Sequence, residues 1–375
     1  MLKKLKLLLP LLIMVILMGG CFNKEQKPIE KEDPKPIVEE KEEPKTYSFS
    51  LAAVGDALIH NGIYNSAYIG NNTYDFSKMF THIKPIISKF DLAFYNQETV
   101  IGGKNLGVST YPNFNSPDEI GLNLLETGFN LVNLATNHTI DRGATGALYS
   151  ANFWKTKDAY AVGSYASLED RNEPVVKTIN GISYSMLGYT YGTNGIAVPS
   201  GKEYLVNVYD ANKVKEDIER VRDKVDILIV SMHWGVEYTH IPTATQRQQA
   251  KYLSSLGVDI IIGHHPHVIQ PIEFLDDTLV IYSLGNFISG QNTEAQRIGL
   301  MAALTVNKTV DGDDVTIEIT DVRGDLFYTS WKPVEVVPFN KLTDSRLYGY
   351  QSIYERYSKI INKTNDERIQ VGFFE

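Results

Sequence analysis

Apolar residues collect in short, dense runs separated by mixed segments. The runs are Phe49–Val54, Leu92–Tyr95, Leu131–Ala135, Tyr184–Gly188, Ile227–Met232, Ile260–Ile262 and Leu279–Tyr282. Several are nearly unbroken, the pattern of strands covered on both faces. Helix signals lie between them. Ser116-Pro117-Asp118-Glu119 reads as an N-cap, a first-turn proline and an acidic turn ahead of Ile120, Leu122, Leu124 and Leu125. Charges alternate around Val214, Ile218 and Val221 from Ala211 onward, and Thr243 or Thr245 can cap a helix that runs to Leu256 and stops at Gly257. Strands alternating with helices predict α/β layering. After Ile298 the texture changes. Leu300–Val306 and Val315–Val322 alternate on either side of Asp311-Gly312-Asp313, which predicts an antiparallel hairpin. Asp344 to Lys363 predicts a closing helix that packs through Leu347, Tyr350, Ile353, Tyr354 and Tyr357.

The N-terminal part follows another pattern. Residues 1–20 carry Lys3, Lys4 and Lys6, then an apolar stretch from Leu7 to Met18, then Gly19-Gly20 before Cys21. This is the layout of a secretory signal, and Leu17-Met18-Gly19-Gly20-Cys21 resembles a bacterial lipobox with Cys21 as the lipidated residue. An uncleaved membrane anchor is the alternative; both put the chain on the extracytoplasmic face of the cell membrane. Residues 21–46 alternate Lys with Glu or Asp and include Pro28, Pro34, Pro36 and Pro44, a composition expected to form a disordered tether. Fully stretched, such a tether reaches on the order of 80 Å at ~3.3 Å per residue. Residues 47–290 are expected to form the main domain, and residues 291–375 to complete it with strands and a helix.

Composition narrows the chemistry. The 375-residue chain has one cysteine, which excludes an intrachain disulfide, a cysteine-rich zinc module and an iron–sulfur cluster. A formal net charge of −9 argues against nucleic acid as a partner. No Gly-x-x-x-x-Gly-Lys-Ser/Thr loop and no Gly-x-Ser-x-Gly elbow is present.

What remains is a series of polar clusters, each just beyond an apolar run. They are Gly55-Asp56 with His60, Asn96-Gln97-Glu98, Asn137-His138-Thr139-Ile140-Asp141, His233-Trp234-Gly235-Val236-Glu237, and Gly263-His264-His265-Pro266-His267. Side chains at the C-terminal edge of a parallel sheet converge from several strands. Carboxylate, amide and imidazole are the ligand set of borderline-hard divalent metals. Taken singly, each has a plain reading: Asp56 as a cap, His60 as a surface histidine, His138–Asp141 as a structural pair. Three imidazoles at strand ends, His233, His265 and His267, among eight histidines in the chain, favour a metal site. His264 reads as a supporting or exposed residue.

As an ordered set the clusters resemble the bacterial capsule-synthesis CapA family, which includes poly-γ-glutamate capsule proteins, and through it the calcineurin-like metallophosphoesterases. The resemblance rests on Val54-Gly55-Asp56, Asn96-Gln97-Glu98-Thr99, the stretch from Ala135 to Gly143, His233 to Tyr238, Gly263 to Gln270 and Tyr282 to Phe287. It implies a four-layer α/β/β/α sandwich. It also implies two divalent metal ions (Mn, Fe or Zn). Asp56, His60, Glu98 and His267 would hold one, and Glu98, Asn137, His233 and His265 the other. Asn96 and Asn286 would support these ligands, and His138 would act as general acid steadied by Asp141. The chain departs from the superfamily pattern where Leu58 replaces the histidine of an Asp-x-His pair and Glu98 replaces a Gly-Asp pair. Two functions follow: a metal-dependent, phosphoesterase-like hydrolase, or a non-catalytic factor that binds an anionic capsular polymer through metal ions. The implied partners are that polymer or a phosphoester substrate, the membrane through the N-terminal lipid, and capsule synthetase membrane subunits.

Overall fold

The structure is a computed structural model and describes residues 43–373. The predicted signal, Cys21 and the tether up to residue 42 lie outside the described residues. Among the described residues no helix is long and apolar enough to cross a membrane.

Two sheets form the body. The larger runs in the order Val334–Pro338, Asp314–Trp331, Ile298–Asp311, Lys45–Leu58, Leu92–Asn96, Leu131–Asn133, Tyr160–Val162. Its last four strands are mutually parallel, whereas the long pair from Ile298 to Trp331 is antiparallel. The smaller sheet runs Ile272–Leu275, Thr278–Ile281, Ile260–His264, Ile227–His233, Ile182–Thr190, Lys177–Ile179, with the middle four parallel.

Alternation along the strands assigns the layers. In Lys45–Leu58, Leu51 and Ala53 join Phe94, Met186, Ile229 and Ile262 in the core between the sheets. Ala52 and Val54 face the other way, toward Ile120, Leu124 and Trp154 of the helices Asp118–Thr127 and Gly143–Lys155. On the smaller sheet Leu228 and Val230 meet Val214, Ile218, Ala250 and Leu253 of the helices Ala211–Val221 and Ala244–Ser255. Each central strand is therefore buried on both faces, which is why its sequence is almost continuously apolar. The α/β/β/α order implied by the resemblance is the one observed.

Local chemistry explains most element ends. Thr243 forms a capping box with Gln246, and Gly257, at φ 83, terminates the helix. Gly312, at φ 64, makes the turn that pairs Asp311 with Asp314. Two expectations need correction. Ser116 is not a helix cap: the helix begins at Asp118, and the Ser116 hydroxyl bonds to Thr99 Oγ1 at 2.6 Å. The closing helix begins at Tyr350, not Asp344, because Gly349 sits at φ 70 and donates its N–H to the Asp344 carboxylate at 3.0 Å. Of the expected packing face, Ile353 and Tyr357 are buried in the core and Leu347, Tyr350 and Tyr354 pack partly buried against it, with Ile361 added one turn on.

Two glycines let neighbouring backbones pass closely at the sheet edges. A Cβ on Gly55 would lie 1.8 Å from Gly285 O, and one on Gly263 would lie 2.0 Å from Tyr282 O. Only glycine allows backbones to pass at that distance. The first crossing fixes Asp56, whose N–H donates to Gly285 O at 2.9 Å. The second leads directly into His264 and His265.

Candidate metal centre

The parallel strands of both sheets end at one edge, and the polar clusters meet there. Asp56, Glu98 and His267 bring ligand atoms within 4.8 Å of one another, and so do Glu98, His233 and His265. Glu98 belongs to both groups. Asn137 joins the second, with its Oδ1 at 2.8 Å from His233 Nε2.

Glu98 is fully buried, and neither carboxylate oxygen has a hydrogen-bond partner. Its nearest imidazole nitrogens are His267 Nε2 at 3.6 Å and His233 Nε2 at 3.8 Å, too long for hydrogen bonds. Burial drives its carboxyl well above the ordinary range; His267 pulls it back, while Asp56, Glu237 and Asp141 push it further up. Buried carboxylates are otherwise paired or coordinated.

Asp56 is better supplied. Its Oδ1 accepts from Asn96 Nδ2 at 2.8 Å, and its Oδ2 lies 3.1 Å from His267 Nδ1 and 3.3 Å from the His265 N–H. Burial alone would raise its pKa, but the hydrogen bond and charge of His267 outweigh it, and the net direction is down. His267 moves the opposite way. Burial opposes its charge, yet Glu98, Asp56 and Glu237 lift it to about 9. Asn286 holds the same ring, its Oδ1 at 3.0 Å from Nδ1. Asn133, which the sequence reading missed, steadies Asn96 through a 2.8 Å bond to its Oδ1.

His264 is fully buried, so its exposed reading is corrected. Its Nδ1 lies 2.8 Å from His233 Nδ1, and its Nε2 lies 2.7 Å from Ser231 Oγ. His233 Nε2 faces the acceptor oxygens of Asn137 and Glu98; if Nε2 bound an ion there, Nδ1–H would donate to His264 Nδ1 and His264 Nε2–H to Ser231. Such a relay would set the tautomer of His233. Burial depresses His233 well below the ordinary imidazole value, helped by His265, His264 and His267. It also takes His264 down to about 4 and His265 to about 3. Neutral imidazole is the ligating form.

His265 and His267 both adopt left-handed backbone, at φ 99 and 58. Strain of this kind costs on the order of 1–3 kcal/mol per residue and gathers at functional sites. The His265 ring sits 4.6 Å from Tyr191, and its Nδ1 is buried without a partner.

His138 and Asp141 are joined as expected: Nδ1 lies 2.7 Å from Asp141 Oδ2, which also accepts the Phe114 N–H at 2.8 Å. The His138 ring stands edge-on to Phe114 at 4.8 Å. His60 does not enter either ligand group. Its Nδ1 lies 3.1 Å from Leu58 O and 3.2 Å from the Gly290 N–H, so main-chain groups hold it beside the cluster. Burial takes it down to about 4.

Besides Asn133, the sequence reading left three neighbours unassigned. Glu237 forms a further group with His265 and His267 within 4.8 Å. Tyr191 and Asn194 follow the strand Ile182–Thr190, and Asn194 Oδ1 accepts from Asn137 Nδ2 at 3.2 Å. Their position after a parallel strand end was the available signal.

Fold and cluster together define a class: an α/β/β/α sandwich with a carboxylate–imidazole centre at the shared C-terminal edge of its sheets. The sequence model of the bacterial capsule synthesis protein PGA_cap matches residues 50–291, a span that holds every candidate ligand. The chain belongs to that family. The PGA biosynthesis protein CapA of Bacillus subtilis (strain 168) is 30% identical over 288 residues, covering 72% of this chain and 71% of the relative. The capsule biosynthesis protein CapA of Bacillus anthracis is 27% identical over 256 residues, covering 64% of this chain but only 60% of the relative's length. Among solved structures, TT1561 of Thermus thermophilus is similar with a TM-score of 0.40 at 11% identity, covering 72% of this chain and 97% of that one.

Proposed function

We propose that this protein is a membrane-anchored, extracytoplasmic factor in the synthesis or export of a capsular polymer of the poly-γ-glutamate kind, acting through a two-cation hydrolytic centre. The observation that carries the centre is Glu98, whose two buried oxygens have no partner and lie between two imidazole sets. The residues fit two divalent cations. Asp56, Glu98 and His267 would hold the first, and Glu98, Asn137, His233 and His265 the second. Bound there, such ions supply Lewis acidity and an acidified water at neutral pH.

The chain supplies the rest. Asn96 and Asn286 fix Asp56 and His267, and the Ser231–His264 chain fixes His233. Asp141 binds His138 Nδ1–H and stabilises the imidazolium, which donates from Nε2. In amide hydrolysis the C–N bond breaks and the leaving nitrogen takes that proton; in phosphoester hydrolysis the leaving oxygen takes it. The capsule assignment is supported by family membership and by the two CapA relatives. With a formal charge of −9, the chain approaches a polycarboxylate more readily through cations than through its own surface.

The test uses the purified full chain, its metal content, and γ-glutamyl amide and phosphoester substrates. Wild type should hold metal and turn over, and His138→Gln should keep the metal while losing roughly 10²–10⁴-fold in rate. Metal-loaded protein that binds the polymer without turnover would replace hydrolysis by the binding reading; protein without metal would overturn the centre itself. The anchor is tested separately: Cys21→Ser should release the protein from the membrane fraction, and retention would refute lipidation.

A further inference from the structure

We propose that Glu237 is a ligand of the first cation position, standing in for the imidazole that Leu58 does not supply. The inference rests on the two-cation reading above and adds a residue from a different loop. Leu58 closes its strand as an apolar side chain 2% exposed, and the next imidazole, His60, is held by main-chain groups. The position is left with Asp56, Glu98 and His267, fewer protein ligands than its neighbour.

Glu237 lies on the open side of that set. Its Oε1 is 3.8 Å from His267 Nε2, the same nitrogen that Glu98 Oε1 approaches at 3.6 Å. Neither distance is a hydrogen bond. Ligand atoms sharing one ion through bonds of about 2.1 Å stand roughly 3.0–3.5 Å apart, so a small inward movement closes the set. His265 also brings a ring nitrogen within 4.8 Å of Glu237 and His267, and its Nδ1 is buried with no partner.

The loop that carries Glu237 is not loose. The next residue, Tyr238, donates its N–H to Pro266 O at 2.8 Å, tying the loop to the turn between His265 and His267. Tyr238 takes left-handed backbone at φ 65, and its hydroxyl accepts from Gln291 Nε2 at 3.3 Å. The Glu237 side chain remains 42% exposed, which leaves a solvent route to the position.

Adding Glu237 makes the two positions unlike. The first has three carboxylates and one imidazole, a set for a hard cation such as Mn(II). The second has two imidazoles, one amide and the shared carboxylate, a set that also suits Zn(II).

The experiment strips the full chain with chelator, reloads it with Mn(II) or Zn(II), and counts tightly bound ions per chain by elemental mass spectrometry. Circular dichroism checks the fold of each variant. Wild type should retain two ions. Glu237→Gln should retain one, with Mn(II) affinity at the other position weakened by about 100-fold. Glu237→His should restore two and shift the first position toward Zn(II), and His60→Ala should behave as wild type. Two ions held by Glu237→Gln with unchanged affinity would overturn this assignment alone, and so would loss of an ion in His60→Ala. A wild type that retains none would overturn the two-cation reading and this inference with it.

Discussion

Replacing Glu98 by glutamine should stabilise the metal-free protein and weaken the metal-loaded one. Glu98 is fully buried, with no hydrogen bond to either oxygen. A carboxylate in that setting either ionises without solvation or stays protonated at neutral pH. Either way the folded state is penalised as pH rises above the unfolded value, at ~1.4 kcal/mol for each pH unit over which the folded group keeps a proton that the unfolded chain has released. Glutamine removes that cost. Its buried amide gives back about 1–2 kcal/mol if its own hydrogen bonds go unmade, and the attraction to His267 is lost. The net expectation is that the variant is the more stable of the two in chelator at pH 7. The sign follows from the raised folded-state pKa: Glu98's contribution is complete below its unfolded pKa and is lost as pH rises, so the advantage of Glu98→Gln should vanish near pH 4–5. Urea unfolding in chelator, and again with Mn(II), measures both states. Wild type should gain about 2.7 kcal/mol for each site saturated at 100 times its Kd, and the variant should gain little, so the order of stabilities reverses on adding metal. A Glu98→Gln protein less stable than wild type in chelator would refute the argument, because Glu98 would then be held by contacts that favour its charge.

Two further outcomes are expected. In chelator, stability should peak near pH 6.5, the ordinary imidazole value. Below it His60, His264 and His265, depressed to about 4, 4 and 3, should each cost ~1.4 kcal/mol per pH unit as the unfolded chain takes up protons that the folded chain refuses. Above it the contribution of His267 should be lost as pH rises through about 9. Urea titrations at several pH values check this, and a flat profile on the acid side contradicts it. Gly55→Ala would place a Cβ 1.8 Å from Gly285 O, so it should lower stability by about 1–3 kcal/mol or more and weaken metal retention by moving Asp56. Gly192→Ala, where a Cβ meets nothing within 4 Å, is the silent control in the same thermal melts.

The main strands were legible because burial on both faces writes itself as unbroken apolar sequence. Ile227–His233 and Ile260–His264 are the clearest cases. The helix Gly143–Lys155 was not read: Gly143 and Gly146 interrupt a face made by Ala147, Ala151 and Trp154, and the packing that compensates for them is tertiary. The short edge strand Lys177–Ile179 was missed because it is exposed and carries no apolar run. The clustered residues Asp56, Glu98, Asn137, His233, His265 and His267 were legible because each lies at or near the C-terminal end of a strand. Sequence spacing did not show that the His60 ring is held by the main chain of Leu58 and Gly290. Nor did it decide between the supporting and the exposed reading of His264, which lies buried against His233. Both depend on which way a side chain turns after the strand stops.

The two sheets divide the donors between them. Asp56, Glu98 and Asn137 leave the larger sheet, while His233, His265 and His267 leave the smaller, and neither contributes a complete set. A chain with only one layer assembled therefore offers half-sites. Ion capture would then be a late check on assembly, and an ion seated there would be a rivet across the joint, slowing any unfolding route that begins by parting the layers.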